Sequence, residues 1–256
     1  DCIIKVTICT IIKFVIIGAK LQRKFVTLHS NYNKKVKMKD KGNVKLKAAL
    51  FDLDGVIFDT EPQYTNFWHS QCQLYHPEIP GLENVIKGQT LVQIYDNYFD
   101  DVKEQQPIIT QRLNEFEQTM NFPFIDGVEA FILDLRAHGI KTAVVTSSNV
   151  VKMNNVYAQH HNFRSLFDRI LTSEDFSASK PDPDPYLKGA QCVGVKPEEC
   201  AGFEDSFNGL KSVKSAHEFT IGLSTTNTAE SIKEYCDVVV ENYINADYEW
   251  LIGKFH

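Results

Sequence analysis

Asp52 and Asp54 stand two residues apart at the end of an apolar run, residues 48–51, and Gly55 follows at once. The run reads as a buried strand. An i, i+2 spacing puts both carboxylates on one face where the strand leaves the sheet. Two acids held there can share a metal ion and divide nucleophilic attack from proton transfer. Three more polar clusters are candidates for chemistry: Thr146-Ser147-Ser148-Asn149, Ser179-Lys180-Pro181 and Glu204-Asp205. Each also has a plainer use. The first could be a helix N-cap. A single lysine is commonly solvated. Two acids after a strand suit the positive end of a helix.

Bringing these clusters together takes a sheet. Residues 141–145, 169–171, 201–203, 219–223 and 238–240 read as strands. Helices are expected over 128–138, 150–160, 183–192, 208–216 and 229–235, with prolines of the third confined to its first turn, where they are tolerated. This alternation predicts an α/β fold with a Rossmann-like parallel sheet. Such a sheet delivers its strands' carboxyl ends to one edge, where ligands bind. All four clusters fall at or just past strand ends, so they should converge.

From Glu61 to Phe122 no strand-like run occurs. Apolar residues recur there at helical spacing, as in Phe67, Trp68, Cys72 and Tyr75, and again in Leu91, Ile94, Tyr95 and Tyr98. An inserted helical domain is expected, with Pro123 and Gly127 at its exit. The expected organisation is a core of residues 46–60 and 123–256, a helical cap over 61–122, and an N-terminal extension over 1–45 that is disordered or not native.

Composition fits this reading. The chain has 256 residues, 43% hydrophobic and 23% charged, enough for one large domain or a core with a smaller insert. Residues 1–47 carry 12 Lys and Arg against 2 acids, while the remainder carries 15 against 31 and is therefore acidic. That argues against a nucleic-acid surface on the body. The six cysteines form no CxxC or Cys/His ligand spacing and read as reduced thiols of a cytoplasmic protein. Residues 3–17 are apolar but broken by Lys5 and Lys13, too short a run to span a bilayer. Met38 is the expected start, with residues 1–37 outside the functional protein. A basic membrane-surface or export segment is the competing reading.

The run Asp52-Leu53-Asp54-Gly55 through Asp59-Thr60, with the other three clusters in order, resembles the four signatures of the haloacid dehalogenase superfamily. The resemblance covers about residues 46–243. It implies that Asp52 is the nucleophile, forming an aspartyl phosphate, and that Asp54 is the acid/base. It implies a magnesium ion held by Asp52, Glu204, Asp205 and the backbone carbonyl of Asp54. Lys180 would hold the nucleophile and the phosphoryl oxygens. Thr146, with the N–H groups of Ser147 and Ser148, would bind those oxygens, and Asn149 would assist. Dehalogenases of the superfamily lack the second aspartate and need no magnesium, so Asp54 and Glu204-Asp205 point to phosphoryl transfer.

The overall pattern resembles the β-phosphoglucomutase-like branch, which holds mutases and small-metabolite phosphatases. Mutases of that branch carry a histidine where this chain has Tyr64, and a cap arginine where it has Leu91. The expected function is therefore a magnesium-dependent phosphatase acting on a small phosphorylated metabolite, a sugar phosphate first. A sugar phosphomutase and a non-catalytic phosphometabolite-binding protein are the alternatives. Lys87, Gln89 and Thr90 are the cap groups expected to face the substrate. Tyr64, Phe67, Trp68, Tyr95 and Tyr98 are expected in the cap core, and His69 and His76 have no metal partner by spacing. A monomer is expected, with no nucleic-acid or membrane partner.

Overall fold

Ala48–Phe51 forms strand β1, and all four side chains are buried. Side chains alternate across a strand. Ala49 and Phe51 therefore join one apolar layer with Val144, Ala201 and Phe203, while Ala48 and Leu50 join the other with Ala143, Val145 and Cys200. The computed structural model describes residues 44–255. The expectations for residues 1–43, including a start at Met38, lie outside the described residues.

Five further strands follow: β2 (Lys141–Val145), β3 (Arg169–Leu171), β4 (Cys200–Glu204), β5 (Phe219–Leu223) and β6 (Val238–Val240). They form one parallel sheet in the order β3-β2-β1-β4-β5-β6. Phe51 pairs in register with Val144 on one side and Phe203 on the other. The rings of Phe51 and Phe203 stack with centroids 4.5 Å apart. The chain winds outward from β1 to β3, then returns to β4 on the opposite side. That reversal opens a crevice at the carboxyl ends of β1 and β4.

The core helices are α5 (Val128–Ala137), α6 (Val150–Gln159), α7 (Asp184–Val193), α8 (Phe207–Ser215), α9 (Ala229–Ile232) and α10 (Tyr248–Lys254). α5 and α6 bury Phe131, Ile132, Met153 and Val156 on the Phe51 layer, and α7 and α8 bury Tyr186, Ala190 and Val213 on the Leu50 layer. Strands 141–145, 169–171, 219–223 and 238–240 stand where expected. β4 runs one residue further at each end, because Cys200 pairs with Ala48 and Glu204 with Gly222. α9 stops at Ile232, short of the expected 235. The Tyr235 N–H turns back to the Ile232 carbonyl three residues away, a tightened turn. α10 has no counterpart in the expected elements. Its seven residues are too few to show a helical period, although Asp247 caps it by accepting from Trp250 N–H.

Between β1 and α5 the chain makes a helical insert: α1 (Glu61–Tyr75), α2 (Leu82–Val85), α3 (Leu91–Tyr98) and α4 (Gln106–Thr119). It has its own apolar cluster of Trp68, Cys72, Leu82, Ile86, Ile94, Phe99, Ile109 and Leu113. Tyr64, Phe67, Tyr95 and Tyr98 pack against that cluster as expected. Tyr64 and Phe116 also touch the core cluster and so mark the junction. The two crossing strands of chain are tied there: Gln63 Nε2 donates to the Asn121 carbonyl at 2.8 Å, and Asn121 N–H donates to Gln63 Oε1 at 3.0 Å. No described helix is long and apolar enough to cross a membrane.

Candidate active site

Asp52 leaves β1 still tied to the sheet, its N–H donating to the Phe203 carbonyl at 3.0 Å. Glu204 ends the neighbouring strand, so sheet register alone sets these two carboxylates side by side. Lys180, in the loop before α7, reaches between them. Its Nζ donates to Asp52 Oδ1 at 2.7 Å, Glu204 Oε1 at 2.6 Å and the Val145 carbonyl at 3.0 Å. Three acceptors satisfy all three ammonium hydrogens. Glu204 is fully buried. Its other oxygen accepts from the Asp205 and Ser206 N–H groups and from Ser206 Oγ, and Tyr186 OH donates to Oε1 at 3.1 Å.

Asp205 completes the cluster. One carboxylate oxygen from each of Asp52, Glu204 and Asp205 lies within 4.8 Å of the others. Asp205 accepts from the Thr226 hydroxyl. Burial, and then the Glu204 charge, push its carboxyl well above the usual range. Burial pushes Asp52 up to about 7 against the pull of Lys180. Once ionised, the three carboxylates face one ammonium, an excess of two negative charges among hard oxygen donors. That donor set fits a divalent cation such as magnesium. Gly55 makes the turn beneath it with φ of +70°, and a Cβ there would lie 2.0 Å from Asp205 Oδ2. Only glycine allows both the conformation and the approach.

Asp54 points to a different set of partners. Thr60 Oγ1 donates to its Oδ1 at 2.5 Å, and Ser148 Oγ and Lys152 Nζ donate to Oδ2 at 3.1 and 2.5 Å. Burial raises its carboxyl, but the Lys152 charge and these hydrogen bonds outweigh it, and the group sits below its ordinary value. Its side chain is not part of the three-carboxylate cluster.

A family model described as haloacid dehalogenase-like hydrolase matches residues 46–217, from the start of β1 through α8. The chain belongs to the haloacid dehalogenase-like hydrolase family. It is 27% identical over 192 residues to the β-phosphoglucomutase of Bacillus subtilis, covering 70% of this chain and 83% of that protein. It is 29% identical over 175 residues to hexitol phosphatase A of Escherichia coli, covering 66% and 79%. Another relative, a bifunctional riboflavin kinase/FMN phosphatase of Arabidopsis thaliana at 22% identity, is much longer: the match takes in 81% of this chain and 56% of that protein. Among solved structures, a family IA, variant 3 hydrolase from Entamoeba histolytica superposes with a TM-score of 0.72 at 21% identity, covering 82% of this chain and 99% of that one.

Among the family's expected site residues, Thr146, Ser147, Ser148 and Asn149 follow β2 as anticipated, but they divide their work. Thr146 Oγ1 is buried and accepts from the Ser148 N–H at 3.0 Å, so that N–H is already used. The Thr146 hydroxyl hydrogen stays available to a ligand. Ser147 is half-buried. Asn149 does what N-caps do, its Oδ1 accepting from Lys152 N–H at 2.9 Å. In the insert, Lys87 is half-buried. Burial and the Asp54 charge raise the Glu61 carboxyl to about 7, with Lys87 pulling it back. Gln89 spends its amide on the Val85 carbonyl and Tyr98 OH, inside the insert. Thr90 caps α3 in a reciprocal box with Gln93.

Three contacts have no counterpart in the sequence expectations. Tyr186 OH supports Glu204, Gln93 Nε2 crosses to the Lys180 carbonyl at 3.1 Å, and Lys152 pairs with Asp54. Gln93 had a signal in the Thr90-x-x-Gln93 capping box. Lys152 had one too: a cation in the first turn of a helix opposes the helix dipole and so asks for a partner.

Proposed function

We propose that this chain is a magnesium-dependent phosphatase that hydrolyses a small phosphomonoester through a phosphorylated Asp52. The observation that carries it is the lysine shared by Asp52 and Glu204, with the Asp205 carboxyl completing the cluster beside them. A carboxylate and a phosphate dianion repel. Lys180 and a bound magnesium ion would offset that charge, the ion held by Asp52, Glu204, Asp205 and the Asp54 carbonyl.

Asp52 then attacks phosphorus. The bond to the substrate's leaving oxygen breaks, and Asp54, which enters this step carrying the proton it took from water in the preceding turnover, gives it to that oxygen. Water next attacks the phosphoryl group on Asp52, Asp54 takes the water proton, and inorganic phosphate leaves with both aspartates restored. The hydroxyl of Thr146 and the N–H of Ser147, just after β2, would hold phosphoryl oxygens, and Lys180 would bind them from the side of α7. The Thr60, Ser148 and Lys152 donors suit the carboxylate form of Asp54, the form that activates water.

A sugar phosphate is the substrate class we favour, supported by relatives named for hexitol and glucose phosphates. Phosphatase is favoured over mutase by two positions. Tyr64 commits its hydroxyl to Glu117 Oε1 at 2.7 Å, and Leu91 packs on the insert's apolar cluster. Neither offers an imidazole or a guanidinium to a second phosphate.

The experiment is phosphate release from a panel of sugar phosphates and nucleotides, with magnesium and with EDTA, for the native chain and Asp52→Asn. Magnesium-dependent release that vanishes in Asp52→Asn, with cooperative melting retained, is the expected result. Turnover by Asp52→Asn would overturn the mechanism. Conversion of β-glucose 1-phosphate to the 6-phosphate without phosphate release, given a trace of bisphosphate, would identify a mutase.

A further inference from the structure

Three successive side chains of the loop after β5 turn in on the acidic cluster. Thr225 Oγ1 donates to the Gly55 carbonyl at 2.5 Å, Thr226 Oγ1 donates to Asp205 Oδ2, and Asn227 Nδ2 donates to the Asp205 carbonyl at 3.0 Å. Gly55 leaves the room for this contact: a Cβ there would lie 2.9 Å from Thr226 Oγ1 and would overlap Asp205 Oδ2. Asp205 is buried. Its Oδ2 is therefore enclosed between Gly55 and Thr226, while its Oδ1 accepts from none of the described residues. The neighbouring carboxylates are committed in a similar way. Asp52 gives Oδ1 to Lys180, and Glu204 has donors on both oxygens. Asp52 and Asp205 thus each keep one oxygen that no described residue holds.

We propose that Thr226 is a positioning residue that leaves Asp205 a single oxygen for the cation and so makes the cluster select magnesium over calcium. This rests on the magnesium site of the reading above. Magnesium demands a near-ideal octahedron, and the narrow bite of a carboxylate binding through both oxygens does not fit its right angles. Calcium takes more oxygens in looser geometry and readily accepts both from one carboxylate. Thr226 does for Asp205 what Lys180 does for Asp52, without adding charge. Outer-shell partners of this kind set the orientation of the ligand and the affinity for the ion. Without the hydroxyl, Asp205 Oδ2 loses its donor and turns to the cation, which favours the larger ion.

The test reads binding, not turnover. The EDTA-treated chain is melted at increasing magnesium chloride or calcium chloride, and the rise in Tm gives a Kd for each cation. In Thr226→Val, which keeps the shape and loses the hydroxyl, the magnesium Kd should weaken about fivefold or more, while the calcium Kd should hold within about twofold or tighten. Thr226→Ser should stay within about twofold of native for both cations. Thr226→Ala should move the two constants in the same sense, and is the variant to read if Thr226→Val does not fold. Asp205→Asn should abolish the magnesium shift. Crystals of Thr226→Val grown with calcium should show both Asp205 oxygens on the ion, against one in the native chain. Unchanged constants, equal weakening for both cations, or a magnesium shift that survives Asp205→Asn would overturn the proposal. A native chain that neither cation stabilises would overturn it together with the magnesium site. Native magnesium binding without phosphate release from any ester would defeat the phosphatase reading alone.

Discussion

Four carboxylates and two ammonium groups meet at the crevice, and they are not shared evenly. Lys180 divides itself between Asp52 and Glu204, and Lys152 serves Asp54. Asp205 has only the Thr226 hydroxyl among the described residues. Burial holds Asp52 near 7, and burial with the Glu204 charge holds Asp205 well above the usual carboxyl range. A cation needs both groups ionised, so protons must leave as magnesium enters. Raised values mean protons compete more strongly as pH falls. The half-saturating magnesium concentration should therefore rise below about pH 7, by up to about tenfold per pH unit for each proton released. Magnesium titrations of turnover at pH 6 and pH 8 check this, and equal midpoints would argue against proton-coupled binding. The residues of this cluster were legible in the sequence because each sits beside a strand end. The Lys152–Asp54 pair was not, because its members are 98 positions apart and no local spacing joins them.

One element carries a buried carboxyl with no visible task. Glu218 enters β5 with both carboxyl oxygens buried and unpartnered among the described residues. One oxygen lies 3.1 Å from where a Gly202 Cβ would stand. Burial alone pushes its carboxyl well above the usual range. The folded state then binds this proton more tightly than the unfolded one. Its contribution is intact below the ordinary glutamate range and is lost as pH rises, by at most about 1.4 kcal/mol per pH unit. Glu218→Gln should match the native stability near pH 4 and exceed it by about 1–3 kcal/mol at pH 8, read by urea unfolding at both values. A difference that does not change with pH would count against the ionisation argument. At this scale most of the fold was readable. Runs such as 141–145 and 219–223 are apolar and bounded by loops, so their ends are marked. The missed α10 shows the limit. It is held by one Asp247 cap and by Leu251 buried in the core cluster, a tertiary contact that a seven-residue pattern does not announce.

Across the whole molecule, the insert meets the core at the Gln63–Asn121 junction, where Tyr64 and Glu117 reach Lys152 and Asn155, and where Gly88 and Gln93 approach Ser206 and Lys180. Gly88 has φ of +70°, and a Cβ there would meet Ser206 Cβ at 2.5 Å. Gly88→Ala should hold its loop off the core. It should lower kcat/KM tenfold or more while costing only about 1–2 kcal/mol of stability, and a kcat/KM within twofold of native would show that the contact is not needed for turnover. The placement of the insert has a consequence for the making of the protein. β1 is the middle strand of the sheet, yet its partners β2 and β4 lie beyond the whole insert. At a ribosome's pace of about 5–20 residues per second, roughly 90 residues must emerge before β2 appears, a wait of about 5–20 s. For that interval a fully buried strand, with Asp52 at its tip, has no sheet to join, while the insert's helices already have one another. The nascent chain should therefore depend most on chaperones in this window, after the insert has emerged and before β2.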